Sequence, residues 1–269
     1  MSKDASGPIV IKIGGTTLEE QSSQPTLWSG LVQLSSRHPG GVVLLHGGGK
    51  VVDKHLSQLG FTTERKEGIR ITPKDQVQQI TAILAGMINK SLVTSINQAG
   101  GKGVGLCLGD GGLEGIITSK ATHYSFDPGM VGEVTGAGNA GLLRLLLREG
   151  YFPVVSSIGI STLDGFLNVN ADDAAAGVAM CLKAHALVLL TDVPGVLDGQ
   201  KQVIPTLNQE EIDGLIASGV ISGGMVPKVR AALGASKRSG APVHILSGND
   251  PASLLGWARG ERVGTRIWG

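Results

Sequence analysis

Cysteine, aromatic residues and charge are all scarce in this chain of 269 residues, and each scarcity removes a class of function. The two cysteines, Cys107 and Cys181, each lie inside an apolar run, and no Cys-x-x-Cys pair occurs. A disulfide framework or thiolate zinc site is therefore not expected, and both read as buried thiols. Aromatic residues make up 3%, too few for the stacking platforms that hold single-stranded nucleic acid. Charged residues make up 17% and the net charge is +1, so no basic field exists for nucleic acid or an anionic membrane. No apolar run approaches the roughly 18 residues of a membrane span. The opening "MSKDASGP" has no apolar stretch behind its charges, unlike a secretory signal. The expectation is a cytoplasmic protein without nucleic-acid or membrane partners.

Apolar residues and glycine are plentiful. Hydrophobic residues make up 41%, the mean hydropathy is +0.17, and 42 glycines lie in loops rather than in a repeat. Short β-rich runs alternate with helical patterns almost throughout. Strands are predicted at 9–13, 41–46, 103–109, 152–159, 186–193 and 242–247. Helices are predicted near 26–37, 49–59, 74–98, 138–149, 171–183, 209–218, 226–239 and 251–258. Most of the strand runs are continuously apolar, as parallel strands covered on both faces are. The pattern predicts an α/β fold, an αβα sandwich with a central, mostly parallel sheet. Two stretches break the rhythm, 61–72 and 111–134, and read as small flaps beside the sheet. No Pro/Ser-rich linker divides the chain, so two fused lobes are expected, 1–184 and 185–269.

In open α/β sheets ligands bind beyond the carboxyl ends of the strands, and three such ends here are rich in glycine. "KIGGT" places Lys12 on the first strand and Gly14 and Gly15 in its turn. "VVLLHGGGKVVDKHL" runs from a strand through Gly47, Gly48 and Gly49 into a helix, a ready anion site. "GDGG", Gly109 to Gly112, follows the third strand. The second loop is neither a Walker A motif, since Val51 follows Lys50, nor a dinucleotide fingerprint, since Val52 occupies the third glycine position. Three glycine-rich loops side by side would let a polyanion approach backbone N–H groups. Lys12 either snorkels to the surface or points into these loops to neutralise phosphate. In "LNVNADDAAAGVAM", Asn168 and Asn170 face one side of an extended segment. One of Asp172 and Asp173 reads as the cap or first-turn acid of the next helix, leaving the other for the site. In "GVISGGMVPKVRAAL", Lys228 sits in the first turn of a helix after Gly223 and Gly224, which alone is an ordinary helix start.

Taken in order, "KIGGT", "HGGG", "GIRIT", "GLCLGDGG", "NVNADDAA", "LLTDVPGVLD" and "GGMVPKV" resemble the acetylglutamate kinases of arginine biosynthesis, within the amino acid kinase superfamily. The resemblance runs from Val10 to the terminal "GTRIWG". It implies transfer of the ATP γ-phosphoryl group to the side-chain carboxylate of N-acetyl-L-glutamate, with Mg²⁺ carried by the nucleotide rather than by a carboxylate cluster. By the same resemblance, Lys12 and Lys228 stabilise the phosphoryl group and Asp172 holds both lysines. Gly48 and Gly49 contact the acceptor, Arg70 takes its α-carboxylate, and Asn168 assists. Asn170 belongs with them, and Gly14, Gly15 and Gly47 form phosphate loops. ATP lies over the C-terminal lobe at Asp192, Val193, Pro194, Gly195, Val196 and Leu197, and at Val220, Ile221 and Ser222. Only eight residues precede "IVIKI", so the chain is closer to the short, dimeric, arginine-insensitive branch, and a homodimer is expected. The rival readings are another phosphotransferase of the superfamily and a non-catalytic nucleotide-binding regulator. The intact lysines and Asp172 speak against the latter.

Overall fold

A strand that is apolar on both faces must be covered on both, and the computed structural model shows how this chain does it. Residues 7–14, 18, 25–112, 116–136 and 138–269 are described. In chain order the strands are β1 (Ile9–Ile13), β2 (Val42–His46), β3 (Glu64–Lys66), β4 (Ile69–Ile71), β5 (Gly103–Cys107), β6 (Thr118–Lys120) and β7 (Val131–Val134). They continue with β8 (Phe152–Ser156), β9 (Ile158–Ser161), β10 (Gly165–Val169), β11 (Ala186–Thr191), β12 (Thr206–Leu207), β13 (Val243–Ser247) and β14 (Thr265–Ile267). The helices are α1 (Pro25–Arg37), α2 (Gly49–Gln58), α3, α4 (Gly141–Arg148), α5 (Ala171–Leu182), α6 (Gln209–Ala217), α7 (Met225–Ser239) and α8 (Pro251–Ala258). Helix α3 is three consecutive segments, Val77–Thr81, a π-helical Ala82–Ile88 and Asn89–Gln98.

Eight strands form the central sheet, in the order β12-β14-β13-β11-β1-β2-β8-β5. Every pairing in it is parallel except β13 with β14. Alternation along β1 sends Ile9, Ile11 and Ile13 to one apolar cluster, with α1, α2, α3 and α8, and Val10 to the other, with α4, α5, α6 and α7. The result is the expected three-layer αβα sandwich. Because side chains alternate with period 2, Lys12 shares the face of Val10 and is aimed at α5.

The differences from expectation have local causes. The strand expected to 109 stops at Cys107, whose N–H is taken by Asp110 Oδ2 at 2.8 Å. The run 152–159 splits at Ser157 into β8 and β9, and β9 leaves for a second sheet of order β6-β7-β10-β9. That sheet absorbs the described part of the stretch 111–134, so the second flap is larger than a hairpin. The first flap is the hairpin β3–β4. The helix expected to start near 138 starts at Gly141, and the one expected at 74–98 starts at Val77 and carries the π segment.

Helix α5 packs closely on β7 of the second sheet through Gly177, where an added Cβ would lie 2.4 Å from Val134 Cβ. Gly234 in α7 has open space around it. Gly177→Ala is expected to destabilise by about 1–3 kcal/mol through overpacking. Gly234→Ala is expected to stabilise by roughly 0.5–1 kcal/mol through chain entropy and helix propensity. Urea unfolding of the two variants checks the opposite signs.

Candidate active site

The glycine turn after β2 is held from both sides. His46, which ends β2, is fully buried, and its Nδ1 lies 2.9 Å from the Gly47 carbonyl oxygen. A carbonyl only accepts, so Nδ1 carries the proton. The Gly47 N–H donates to Ile13 O at 3.4 Å. Gly48 caps α2 with φ 156°, and a Cβ there would come within 2.4 Å of Ile88 Cδ1. The first amides of α2 have no intrahelical carbonyl to bond, and Gly47, Gly48 and Gly49 line a cavity of about 150 Å³. Its apolar wall includes Val52, Ile80, Leu84 and Val131.

One end of the turn faces α5. A Cβ on Gly47 would lie 3.0 Å from Ala171 Cβ, and Asn168, Asn170 and Ala171 all line the cavity. Both aspartates are first-turn acids of α5, and neither is its cap. Asn170 takes that part, its Oδ1 accepting from the N–H groups of Asp172 at 2.9 Å and Asp173 at 3.2 Å. An asparagine just before the helix serves both N–H groups without adding a third negative charge, so both acids are free to pair. Asp172 Oδ1 lies 2.8 Å from Lys12 Nζ, and Asp173 Oδ1 accepts from Arg238 of α7 at 3.0 Å. The Lys12 side chain is only 16% exposed. It curls over Gly14, where a Cβ would lie 3.1 Å from Nζ, so it does not snorkel. Gly15 falls outside the described residues.

The other end of the turn faces two guanidinium groups. A Cβ on Gly49 would meet Arg65 Nη2 at 3.3 Å and Arg70 Nη2 at 4.0 Å. Arg70, buried on β4, donates to Gly49 O at 2.9 Å and is paired through Nη1 with Asp53 Oδ1. Arg65 donates to Asp53 Oδ2 at 3.0 Å. Burial alone would raise the Asp53 carboxyl, but the two arginines outweigh it and hold the group below the usual carboxylate range. Asn168 Nδ2 donates to Thr72 Oγ1 at 3.0 Å, and Thr72 Oγ1 to Arg70 O at 3.1 Å, which ties β10 to the hairpin. Arg65 and Asp53 were not singled out from the sequence. A basic residue next to its hairpin partner and an acid one helical turn past a glycine cap carry no signal until β3 folds back over α2.

Two expectations are corrected. Asp172 does not hold both lysines. Lys228 Nζ pairs with Asp192 Oδ1, and this hydrogen bond lowers the Asp192 carboxyl. Lys228 opens α7, which follows the sheet on the far side of β11, so the carboxylate at the end of β11 is the nearer partner. The third glycine loop does not join the other two, because β8 lies between β2 and β5 in the sheet. Two of its glycines serve close packing instead, a Cβ on Gly109 meeting Ile160 at 3.2 Å and one on Gly111 meeting Leu142 at 2.9 Å, while Gly112 has open space around it. Of the segments expected at the nucleotide, Asp192, Pro194, Val220 and Ser222 are exposed, while Val193 and Leu197 are half-buried. Gly195, Val196 and Ile221 are buried. Val196 gives its N–H to Thr265 Oγ1 and its carbonyl to Ile204 N–H, both at 2.8 Å, so it offers nothing polar to a ligand.

The layered fold, with a lysine and a glycine cradle at the carboxyl ends of its parallel strands, is that of an ATP-dependent kinase. The family model described as the amino acid kinase family matches residues 7–247, and the chain belongs to that family. It is similar to the acetylglutamate kinase of Pectobacterium carotovorum, with 42% identity over 97% of this chain and 98% of the relative. It is also similar to that of Colwellia psychrerythraea, with 44% identity over 97% and 96%. Among solved structures, carbamate kinase from Giardia lamblia shares the fold, with TM-score 0.66 at 18% identity, covering 98% of this chain and 99% of that one.

Burial pushes the His46 imidazole from 6.5 down to about 4, against the opposing hydrogen bond to Gly47. Burial does the same to His244, aided by Arg266 and His185. Between pH 6.5 and 4 the unfolded chain binds protons that the folded chain refuses, so stability is complete above 6.5 and is lost as pH falls. His46 alone contributes roughly 3 kcal/mol across the whole window. The lowered carboxyls Asp53 and Asp192 act in the same direction but below their ordinary 3.8. Urea unfolding at pH 7.5 and pH 5 is expected to show a clear loss at the lower value. Equal stabilities would mean that the histidines are not neutral in the fold.

Proposed function

We propose that the chain acts as an acetylglutamate kinase, transferring the γ-phosphoryl group of ATP to the side-chain carboxylate of N-acetyl-L-glutamate. The products are N-acetyl-L-glutamyl 5-phosphate and ADP, and the step belongs to arginine biosynthesis. The observation that carries this reading is the two-ended character of the glycine turn. Gly47 abuts Ala171 beside the Lys12–Asp172 pair, and Gly49 abuts the guanidinium groups of Arg65 and Arg70. A dicarboxylate fits such a turn, one carboxylate at the arginines and the other toward the lysine. The full-length similarity to acetylglutamate kinases supports the same acceptor.

The acceptor carboxylate has an ordinary pKa near 4.3 and is ionised at neutral pH, so the reaction requires no general base. What remains is positioning and the neutralisation of charge. Lys12 and Lys228 stabilise the phosphoryl group in transfer, with Asp172 orienting Lys12 and Asp192 orienting Lys228. The amides of Gly48 and Gly49 face the reacting carboxylate. Arg70 grips the α-carboxylate, with Asn168 linked to it through Thr72 and Asn170 at the α5 end of the cavity, and Ile80, Leu84 and Val131 accept the acetyl group. ATP occupies the C-terminal lobe, residues 185–269, and the acceptor the N-terminal lobe, residues 1–184. Magnesium arrives with the nucleotide. Among the described residues no three His, Cys, Asp or Glu side chains stand together to hold a metal, so no residue is assigned to it. The working form is a cytoplasmic homodimer insensitive to arginine, and a hexamer in sedimentation equilibrium would overturn that part alone. Among the described residues, no helix is long and apolar enough to cross a membrane.

ADP release with N-acetylglutamate but not with glutamate is the expected result, and equal rates with the two would refute the acceptor. Lys12→Ala and Lys228→Ala are each expected to lower kcat by on the order of 10²-fold, with smaller changes in either KM. Near-wild-type kcat would remove the residue concerned from the mechanism. Arg70→Lys keeps the charge and loses the fork, so the KM for N-acetylglutamate rises while that for ATP hardly changes. An equal rise for both substrates would place Arg70 elsewhere.

A further inference from the structure

The buried polar pair beneath the glycine turn has no part in the chemistry above. Asn89, on α3, is fully buried, and its Nδ2 lies 2.9 Å from Val154 O on β8 and 3.1 Å from His46 Nε2. The Val154 carbonyl fixes the amide orientation, since it only accepts; of the two acceptors left for the second amide hydrogen, Nε2 at 3.1 Å is nearer than Leu106 O at 3.5 Å. Nε2 must be the bare acceptor, which agrees with the proton already placed on Nδ1 by the Gly47 carbonyl. Lys90 Nζ lies 3.4 Å from Asn89 Oδ1 and completes the set. Both amide hydrogens and both ring nitrogens are thus satisfied in one arrangement, in a place where a missing partner would be costly.

The route by which Asn89 reaches this position is unusual. The π-helical segment Ala82–Ile88 ends on it, and π turns inside α-helices recur at functional sites. The same segment presses on the turn itself, since Leu84 Cδ2 and Ile88 Cδ1 fill the space that a side chain on Gly48 would need. Apolar packing closes Gly48 from one side, and the imidazole fixes the Gly47 carbonyl from the other.

We propose that His46 and Asn89 are positioning residues for phosphoryl transfer. The Nδ1–H of His46 holds the Gly47 carbonyl toward the core, so the Gly48 and Gly49 amides stay aimed into the cavity, and Asn89 locks the imidazole tautomer. This rests on the acetylglutamate kinase reading for its assay but not for its geometry. The fully buried, neutral ring fits the role, because it stays a single-proton donor throughout the physiological range.

Two substitutions separate this role from simple packing. His46→Asn puts an amide where Nδ1 was, keeping the bond to Gly47 and losing Asn89. His46→Gln puts an amide where Nε2 was, keeping Asn89 and losing Gly47. Both variants are expected to lose thermal stability. Only His46→Gln is expected to lose kcat, by about 10- to 100-fold, the scale of a misplaced contact, with the KM for ATP unchanged. His46→Asn keeps kcat within about threefold on the same scale. Equal loss in both, or in neither, overturns the proposal. Nitrogen NMR of the wild-type protein gives an assay-free check, expected to show a protonated Nδ1 and a bare Nε2 for His46 from pH 5 to 8. A proton on Nε2 overturns the proposal even if a variant fails to fold. Absence of ADP release by the wild type with N-acetylglutamate defeats the activity reading and leaves the NMR result standing.

Discussion

The contact between Lys12 and Asp172 joins the fold to the site. A lysine on a central strand has no cheap way to reach water, because neighbouring strands flank it and a helix layer covers its face. The face it shares with Val10 is the one roofed by α5, so its charge arrives at the first turn of that helix. The helix must then present a carboxylate there, and its N-cap must be neutral enough not to compete for the lysine. Asn170 supplies that cap, and Asp172 supplies the charge. The strand order, the packing of α5 on β7 through Gly177 and the glycine turn beside Ala171 surround this pair, whose charged atoms lie 2.8 Å apart.

What could be read in the sequence was whatever depends on neighbours along the chain. Continuous apolar runs at 9–13 and 186–193 gave parallel strands in the middle of the sheet, and "HGGG" gave a strand-to-helix turn with open amides. Spatial order was less accessible. The loop after β5 looked equivalent to the two glycine turns, yet β8, which comes later in the chain, is inserted between β2 and β5. The partner of Lys228 was missed for a similar reason. Asp192 lies 36 residues away, across two strand ends, and no local pattern links them. The choice between cap and first-turn acid stayed open because Asn170, Asp172 and Asp173 are all good candidates chemically, and only backbone geometry selects among them.

The site also explains where the chain departs from regular structure. Among the described residues, the π segment of α3 is the one stretch where a strongly periodic helix is wound differently, and it lies against Gly48 and ends on Asn89. An ordinary α-helix would rotate Asn89 away from the strand ends or Ile88 away from the turn. The strand run 152–159 likewise breaks at Ser157, whose N–H bonds the His46 carbonyl, so β9 turns off just where the cavity wall is needed.

Asp53 adds something that a list of cationic contacts leaves out. It bridges Arg65 and Arg70, and the two guanidinium groups hold its carboxyl below the usual carboxylate range. The pocket therefore holds its own counterion. One carboxylate facing two guanidinium groups leaves a single net positive charge at this end of the cavity. On the acetylglutamate kinase reading, an entering carboxylate would compete with Asp53 for the Arg70 fork. On that reading, selection in this pocket depends on the shape of the incoming carboxylate as well as on the residual positive charge.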